Sequence, residues 1–414
     1  MYSNMVFACQ RDSYLQEFHT KAISCESAKI KLLINGKNEI FDGYNVVLED
    51  TILFPEGGGQ PDDRGTISNV QVLRITRNKD SAVHFVTQSV PLNEEIPLKL
   101  DWVRRFDHMQ QHSGQHLLSA VAENKFKLKT TSWNLGELIS YVEIDAPVVE
   151  FPVLKELEEI VNDKIRAAIP VTVKTYEKGS EELEKAHSRG LPDDHSGLIR
   201  IISIEGVDEN MCCGTHVKNL SELQAIKIVS LEKGKKNKCN LYFLVGNRIL
   251  SYMQKCIEKE RIFTCFLKCG SDQHVELLEK MSKSLKTTQK NELNLIRDLA
   301  LLEAQKVKQI QPKPKFYSIH RKEGNSDFMS IITNEVKDED ILLFITVGDE
   351  KGAGQVTISG KAEIVKTLGP KVGEILDGKG VAKGNRYLGK VNNLSQRSKA
   401  EQMIKDEISM NNEI

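Results

Sequence analysis

The strongest constraint on this fold is a pairing of distant donor residues. His112 and His116 lie four residues apart in DHMQQHSGQHLL (Asp107–Leu118), and Cys212 and His216 repeat that offset in MCCGTH (Met211–His216). On a helix, four-residue spacing sets two imidazoles on one face, roughly 5–6 Å apart at Cβ and within reach of one ion. Each pair alone is weak evidence. Together they form a four-ligand set of nitrogen and sulfur suited to one zinc ion per chain. A fold that uses them must bring a helix and a segment about a hundred residues downstream to one point. Asp107, with Gln110 three residues later, has capping-box spacing, so the helix is expected to open at His108 and run to about Phe126. Gly114 in its interior costs about 1 kcal/mol relative to alanine. Close packing of a neighbouring strand would explain it.

The 414 residues suffice for two or three domains, each with its own core. Charged residues make up 28% and apolar residues 40%, which fits a globular chain rather than a disordered one. With a net charge of −1, any nucleic-acid contact must come from local basic patches. No apolar run approaches the roughly 18–20 residues that cross a bilayer, and the start MYSNMVFACQRDSY lacks a secretory pattern. Eight unevenly spaced cysteines do not form a disulfide framework, so a reducing cytoplasm is the expected location.

The chain reads as α+β in four parts. Residues 1–104 are expected to form a β-barrel-like domain, with strands in Asn45–Phe54 split at Glu49-Asp50, then Thr66–Ile75, Ala82–Val86 and Ile96–Leu100. The run Phe54-Pro-Glu-Gly-Gly-Gly-Gln-Pro-Asp-Asp-Arg-Gly65 falls in a loop after the second of these. Residues 105–252 read as an α+β zinc core, helices on one face of an antiparallel sheet, with a second helix over Val153–Ala168. Residues 253–310 read as a helical hairpin or coiled coil with a polar interruption at Thr287–Asn291, a segment able to dimerise. Gln311-Pro-Lys-Pro-Lys315 marks a linker, and 316–414 alternates as an α/β domain.

HSGQHLL followed much later by CCGTHV resembles the signature of the alanyl-tRNA synthetase editing domain and of its free-standing relatives, the AlaX proteins. The upstream glycine-rich run lies where the longer AlaX proteins carry theirs, and QRDSY (Gln10–Tyr14) extends the likeness. At 414 residues, no aminoacylation domain is expected beside these parts. The resemblance implies a free-standing hydrolase that deacylates Ser-tRNA(Ala), with Gly-tRNA(Ala) as a further substrate and alanine tRNA as partner. It places the ion at the floor of the pocket that takes the aminoacyl end of tRNA. It also implies that Gly57, Gly58, Gly59 and Gln60 border that pocket, and that Thr131 reads the serine hydroxyl, with Thr130 the alternative if the alignment slips by one. Residues 316–414 resemble the C-terminal domain of alanyl-tRNA synthetases, although Gly378-Lys-Gly380 and Ala382-Lys-Gly384 replace the usual glycine cluster. The rival reading is a non-catalytic, zinc-stabilised tRNA- or protein-binding adaptor on the same fold, since saturated zinc sites are ordinarily structural.

Other residues fall beside these. His108 shares the helical face of His112 and His116 and reads as a first-turn capping residue. Cys213 stands where the family has glycine, leaving Cys212 in register with His216 as ligand and Cys213 as a potential competitor. His187 and His195 lie in the polar segment 186–197, expected to be a solvated loop. Two basic stretches suit phosphate contacts: Lys235 and Lys236 in a turn, and Lys383, Arg386 and Lys390 within 379–399, where Tyr387 would stack on a base.

Overall fold

The computed structural model describes residues 6–34, 36–177, 180 and 198–410. The chain divides into two compact units, 1–262 and 263–414.

In the first unit, six strands close into a barrel: β1 (Glu17–Ile34), β2 (Lys37–Leu48), β3 (Gly65–Ile67), β4 (Val70–Asn78), β5 (Ser81–Val86) and β6 (Glu95–Leu100). Their order is β1-β2-β5-β4-β3-β6, with β6 returning to pair with β1, all antiparallel. Closure removes the unpaired strand edges of an open sheet. Ala22, Val46, Ile67, Val72, Ile75, Val86, Ile96 and Leu98 fill its core. Three readings differ here. Thr66–Ile75 is not one strand but the hairpin β3–β4, turning at Ser68 and Asn69, both at positive φ. β1 was not legible, because FHTKAISCESAK shows no apolar alternation. Thr51–Phe54 is a buried irregular segment rather than a strand. Side chains replace a ladder there: Leu53 N donates to Thr51 Oγ1 (3.0 Å) and Phe54 N to Asp63 Oδ2 (2.6 Å). Asp63 is buried and ion-paired with the equally buried Arg105.

Helix α2 (Trp102–Phe126) follows a short first helix, α1 (Ala8–Arg11). It opens six residues before the expected start, because Asp101 rather than Asp107 caps it, accepting from Arg104 N at 3.1 Å. Asp107 instead lies inside the helix and pairs with Arg248 at 2.8 Å. Strands β7 (Thr130–Asn134), β8 (Ser140–Ile144), β12 (Ile226–Lys233) and β13 (Cys239–Val245) form one antiparallel sheet in the order β12-β13-β8-β7. β9 (Val171–Tyr176), β10 (Ile199–Ile204) and β11 (Asp208–Met211) form a second, in the order β11-β10-β9. Helix α3 (Phe151–Arg166) buries Leu157, Val161 and Ile165 in a core shared with Leu117, Leu118 and Val121 of α2 and with Val142, Leu241 and Phe243. Gly114 lies against β13: an added Cβ would come 2.5 Å from Val245 Cγ2.

Helix α4 (Asn247–Leu267) contains the unit boundary. In the second unit, α5 (His274–Gln309) runs without a break through Thr287–Asn291. The polar residues expected to interrupt it are simply exposed. β14 (Phe316–Arg321), β15 (Leu342–Gly348), β16 (Gly354–Ser359), β17 (Gly378–Lys383) and β18 (Arg386–Val391) form a sheet in the order β14-β15-β16-β18-β17, parallel only between β14 and β15. Helices α6 (Ser326–Glu335), α7 (Ala362–Ile375) and α8 (Arg397–Met410) complete it. Leu342 and Phe344 pack in one core with Val365 and Leu368 of α7, while Leu343 and Ile345 pack in another with Ala300 of α5 and Phe328 of α6. A strand buried on both faces reads as a continuous apolar run, as β15 does. No helix among the described residues is long and apolar enough to cross a membrane.

Candidate metal centre

The donor atoms of His112, His116, Cys212 and His216 all lie within 4.8 Å of one another. α2 supplies the first pair from successive turns, and the loop after β11 supplies the second. The His112 and His116 rings are 5.1 Å apart, and the His216 ring is 4.4 Å from one and 4.8 Å from the other. Cys212 Sγ lies 3.3 Å from both His112 Nε2 and His216 Nε2. Three imidazoles and a thiol at this spacing form a donor set that can hold a metal ion.

A second layer of side chains turns those atoms inward. Gln60 Oε1 is 2.9 Å from His112 Nδ1, and Ser113 Oγ is 3.0 Å from His216 Nδ1. With each Nδ1–H donating outward, the Nε2 lone pairs face the sulfur, as ligation requires. Gln60 is itself fixed: its Nε2 donates to Thr215 Oγ1 (2.8 Å), and its Oε1 also accepts from Thr215 N (2.9 Å). Trp133 stacks on His112 at 4.7 Å. Gly214 is obligatory, since an added Cβ would meet His112 Cε1 at 2.2 Å. Burial, with His112, His116 and Arg200 nearby, holds the His216 pKa well below the usual imidazole value. Its neutral, metal-binding form is therefore favoured.

The glycine run is a tight turn on this cluster. Gly57 and Gln60 exchange backbone hydrogen bonds at 3.1 Å around Gly58 and Gly59, which have φ of +61° and +86°. Positive φ at both central residues is the two-residue hairpin geometry that glycine permits. A Cβ on Gly58 would lie 3.0 Å from Cys213 Sγ, and one on Gly59 would lie 2.7 Å from Trp133 Nε1. Cys213 thus faces this turn, and it is Cys212 that stands among the donors. Gln60, expected to border a pocket, is fully buried behind His112.

Thr131 commits its hydroxyl to other partners. A bulge between Thr130 and Ser132 turns it to the face of Glu143, where its hydroxyl donates to Glu143 Oε1 (2.5 Å) and accepts from Lys238 Nζ (2.9 Å). Thr130 pairs with Ile144 and Trp133 with Val142, so these two share the inner face with the α2 core. His108 is buried well past the first turn, with its pKa pushed down to about 3 by burial and by Arg104, Arg248, Arg105 and Arg64. It caps nothing and lies outside the donor set. Lys235 and Lys236 are exposed in the β12–β13 turn. In the second unit, Lys383, Arg386 and Lys390 lie on one face of the β17–β18 hairpin, through the pairs Lys383↔Arg386 and Lys379↔Lys390. Tyr387 is on the other face and 2% exposed, packed on Gly369 and Gly373 of α7, so it is unavailable for stacking on a base. His187 and His195 lie outside the described residues. Ser113, Trp133, Gln10 and Arg200 were not read as site residues: Ser113 adjoins His112 and Gln10 opens QRDSY, whereas Trp133 and Arg200 carry no local signal.

Comparison with known proteins agrees with this arrangement. Residues 199–243 match the threonyl and alanyl tRNA synthetase second additional domain, a segment running from β10 through the Cys212–His216 loop to β13. The chain is 52% identical to the alanyl-tRNA editing protein Aarsd1 of Mus musculus, covering 98% of each chain. It is 31% identical to the alanyl-tRNA editing protein AlaX-L of Pyrococcus horikoshii, over 70% of this chain and 69% of that one. A putative alanyl-tRNA editing protein alaX of Saccharomyces cerevisiae is 30% identical, over 94% and 93%. With near-complete coverage at that identity and with the donors gathered in space, this chain belongs to the alanyl-tRNA editing protein family.

Proposed function

We propose that this protein is a zinc-dependent aminoacyl-tRNA deacylase that removes serine from mischarged alanine tRNA. The observation that carries the reading is the convergence of His112, His116, Cys212 and His216 in a chain related over its length to alanyl-tRNA editing proteins. Three imidazoles and one thiolate suit zinc, whose preference is tetrahedral nitrogen and sulfur coordination. With one of the four donors exchanged, or the coordination widened to five, bound zinc would polarise a carbonyl or lower the pKa of a bound water; with all four retained it would orient the substrate. The chain's own part is positional. Gln60 and Ser113 fix the His112 and His216 rings, and Trp133 packs on His112 with the Gly57–Gly59 turn against Trp133 and Cys213. An aminoacyl ester is already activated, so holding it beside a positioned water supplies much of the barrier reduction.

Serine must be cut and alanine spared. A site that hydrogen-bonds a substrate hydroxyl discriminates against the analogue lacking it by about 10⁴-fold or more. The inward face of β7 favours Thr130 for that contact, with the Gly57–Gly59 backbone bounding the same pocket. Lys235 and Lys236 in the first unit, and Lys383, Arg386 and Lys390 in the second, would contact tRNA phosphates, each within its own unit. Val275, Leu278, Met281 and Leu285 of α5 are exposed at helical spacing, which supports pairing with a second copy.

The test is hydrolysis of Ser-tRNA(Ala), Gly-tRNA(Ala) and Ala-tRNA(Ala) by purified protein. Wild type is expected to clear the serine ester and leave the alanine ester, and His116→Ala to fall to the uncatalysed rate. An intact Ser-tRNA(Ala) pool in the presence of zinc-loaded wild type would favour the adaptor.

A further inference from the structure

The loop carrying Cys212 and His216 has no regular structure, yet three successive carbonyls in it are held by side chains from elsewhere. Arg200 Nη1, from β10, donates to Cys212 O at 3.0 Å and also to Gly214 O. Gln10 Nε2, from α1, donates to Cys213 O at 2.7 Å. The two holders are joined, because Arg200 Nε donates to Gln10 O at 3.2 Å, and Cys212 N returns a hydrogen bond to Arg200 O at 3.0 Å. Gln10 and Arg200 are each 6% exposed. Gln10 is anchored in turn by Phe7 N donating to its Oε1 at 3.1 Å.

The chemical problem this network meets is the adjacent pair Cys212-Cys213. Either thiol could ligate, and a rotation of the loop backbone would exchange them. With the carbonyls of residues 212, 213 and 214 all pinned, the peptide planes cannot turn, and Cys213 Sγ is kept against Gly58. We propose that Gln10 and Arg200 are positioning residues that select Cys212 over Cys213 as the sulfur ligand, so that metal affinity depends on a segment two hundred residues upstream. This rests on the cluster being a metal site, not on the identity of the ester it cleaves.

The experiment uses the full chain loaded with zinc. Cysteine alkylation is mapped by fragmentation mass spectrometry, and zinc affinity is read by competition with a chelator. In wild type, Cys212 is protected and Cys213 is alkylated. In Gln10→Ala and in Arg200→Lys, protection is shared between the two cysteines and zinc affinity falls about 10–100-fold, the range for lost outer-shell partners. If Arg200→Lys does not fold, Gln10→Ala decides. A merely structural role lowers the thermal midpoint but leaves protection on Cys212 and affinity unchanged; that result overturns the proposal. Alkylation of both cysteines in zinc-treated wild type overturns the metal site itself. Slow ester hydrolysis by a zinc-loaded wild type with Cys212 protected counts only against the proposed reaction.

Discussion

Gln60 Oε1 takes hydrogen bonds from an imidazole and from a backbone N–H, and that double use explains why one amide in a glycine-rich loop is completely buried. The donors themselves were legible, because four-residue spacing is a geometric statement. Their supports were not: Gln60, Ser113, Gln10 and Arg200 are defined by contacts across the fold, which no local period encodes. His84 is another such residue. Fully buried in the barrel, it lies 3.0 Å from Thr51 Oγ1 through Nε2 and 3.2 Å from Val46 O through Nδ1, partners that suit the neutral ring. Burial pushes its pKa down from 6.5 to about 4. Below pH 6.5 the unfolded chain takes up a proton that the folded barrel refuses. Its stabilising contribution is therefore complete above pH 6.5 and drains away as pH falls towards 4, by roughly 3 kcal/mol over that window. His84→Gln is expected to flatten the pH dependence of hydrogen-exchange protection in β2 and β5 across that range. An unaltered slope would remove His84 as its source.

Among the elements, α2 and β7 show where pattern reading stops short. The apolar spacing of Leu117, Leu118 and Val121 marks a helix, but its start depends on which aspartate finds a free backbone N–H, and Asp101 does so while Asp107 meets Arg248. In β7 a single bulge decides which of two adjacent threonines faces inward. A bulge inserts one residue without changing composition, so the two-residue period cannot reveal it. Thr130→Val is expected to lower the preference for serine over alanine esters about tenfold or more. Thr131→Val should leave that ratio unchanged while loosening the Lys238–Glu143 pair. The reverse outcome, measured as the ratio of deacylation rates, would assign the hydroxyl contact to Thr131. β1 was invisible for a different reason: its first two-thirds lack apolar alternation, and pairing makes it a strand, with β6 along Glu17–Lys21 and with β2 along Ala22–Ile34.

At the scale of the whole molecule, the chain comprises two units with separate cores. Within the second, 316–414 follows the expected alternation through β14, α6, β15, β16 and α7, while α5, read as part of a separate helical segment, contributes Ala300, Ala304 and Val307 to one of its cores. The β17–β18 hairpin was read only as a basic stretch, because lysine and glycine weaken any strand signal. Its pairing sets Lys379, Lys383, Arg386 and Lys390 on one face around the exposed Val381 and Leu388. Lys383→Glu with Lys390→Glu is expected to weaken tRNA binding and to make its salt dependence shallower, by about 0.9 in log–log slope per lost phosphate contact for a duplex stem. An unchanged slope would take this hairpin out of the RNA interface. The central claim is that editing requires one metal ion held by four side chains from two distant segments. Its most direct test is to strip the protein with a chelator and titrate zinc back while following Ser-tRNA(Ala) hydrolysis. The expected result is loss of hydrolysis and full recovery at one zinc per chain, with no recovery in Cys212→Ser. A metal-free protein that hydrolyses the ester at the original rate would contradict it.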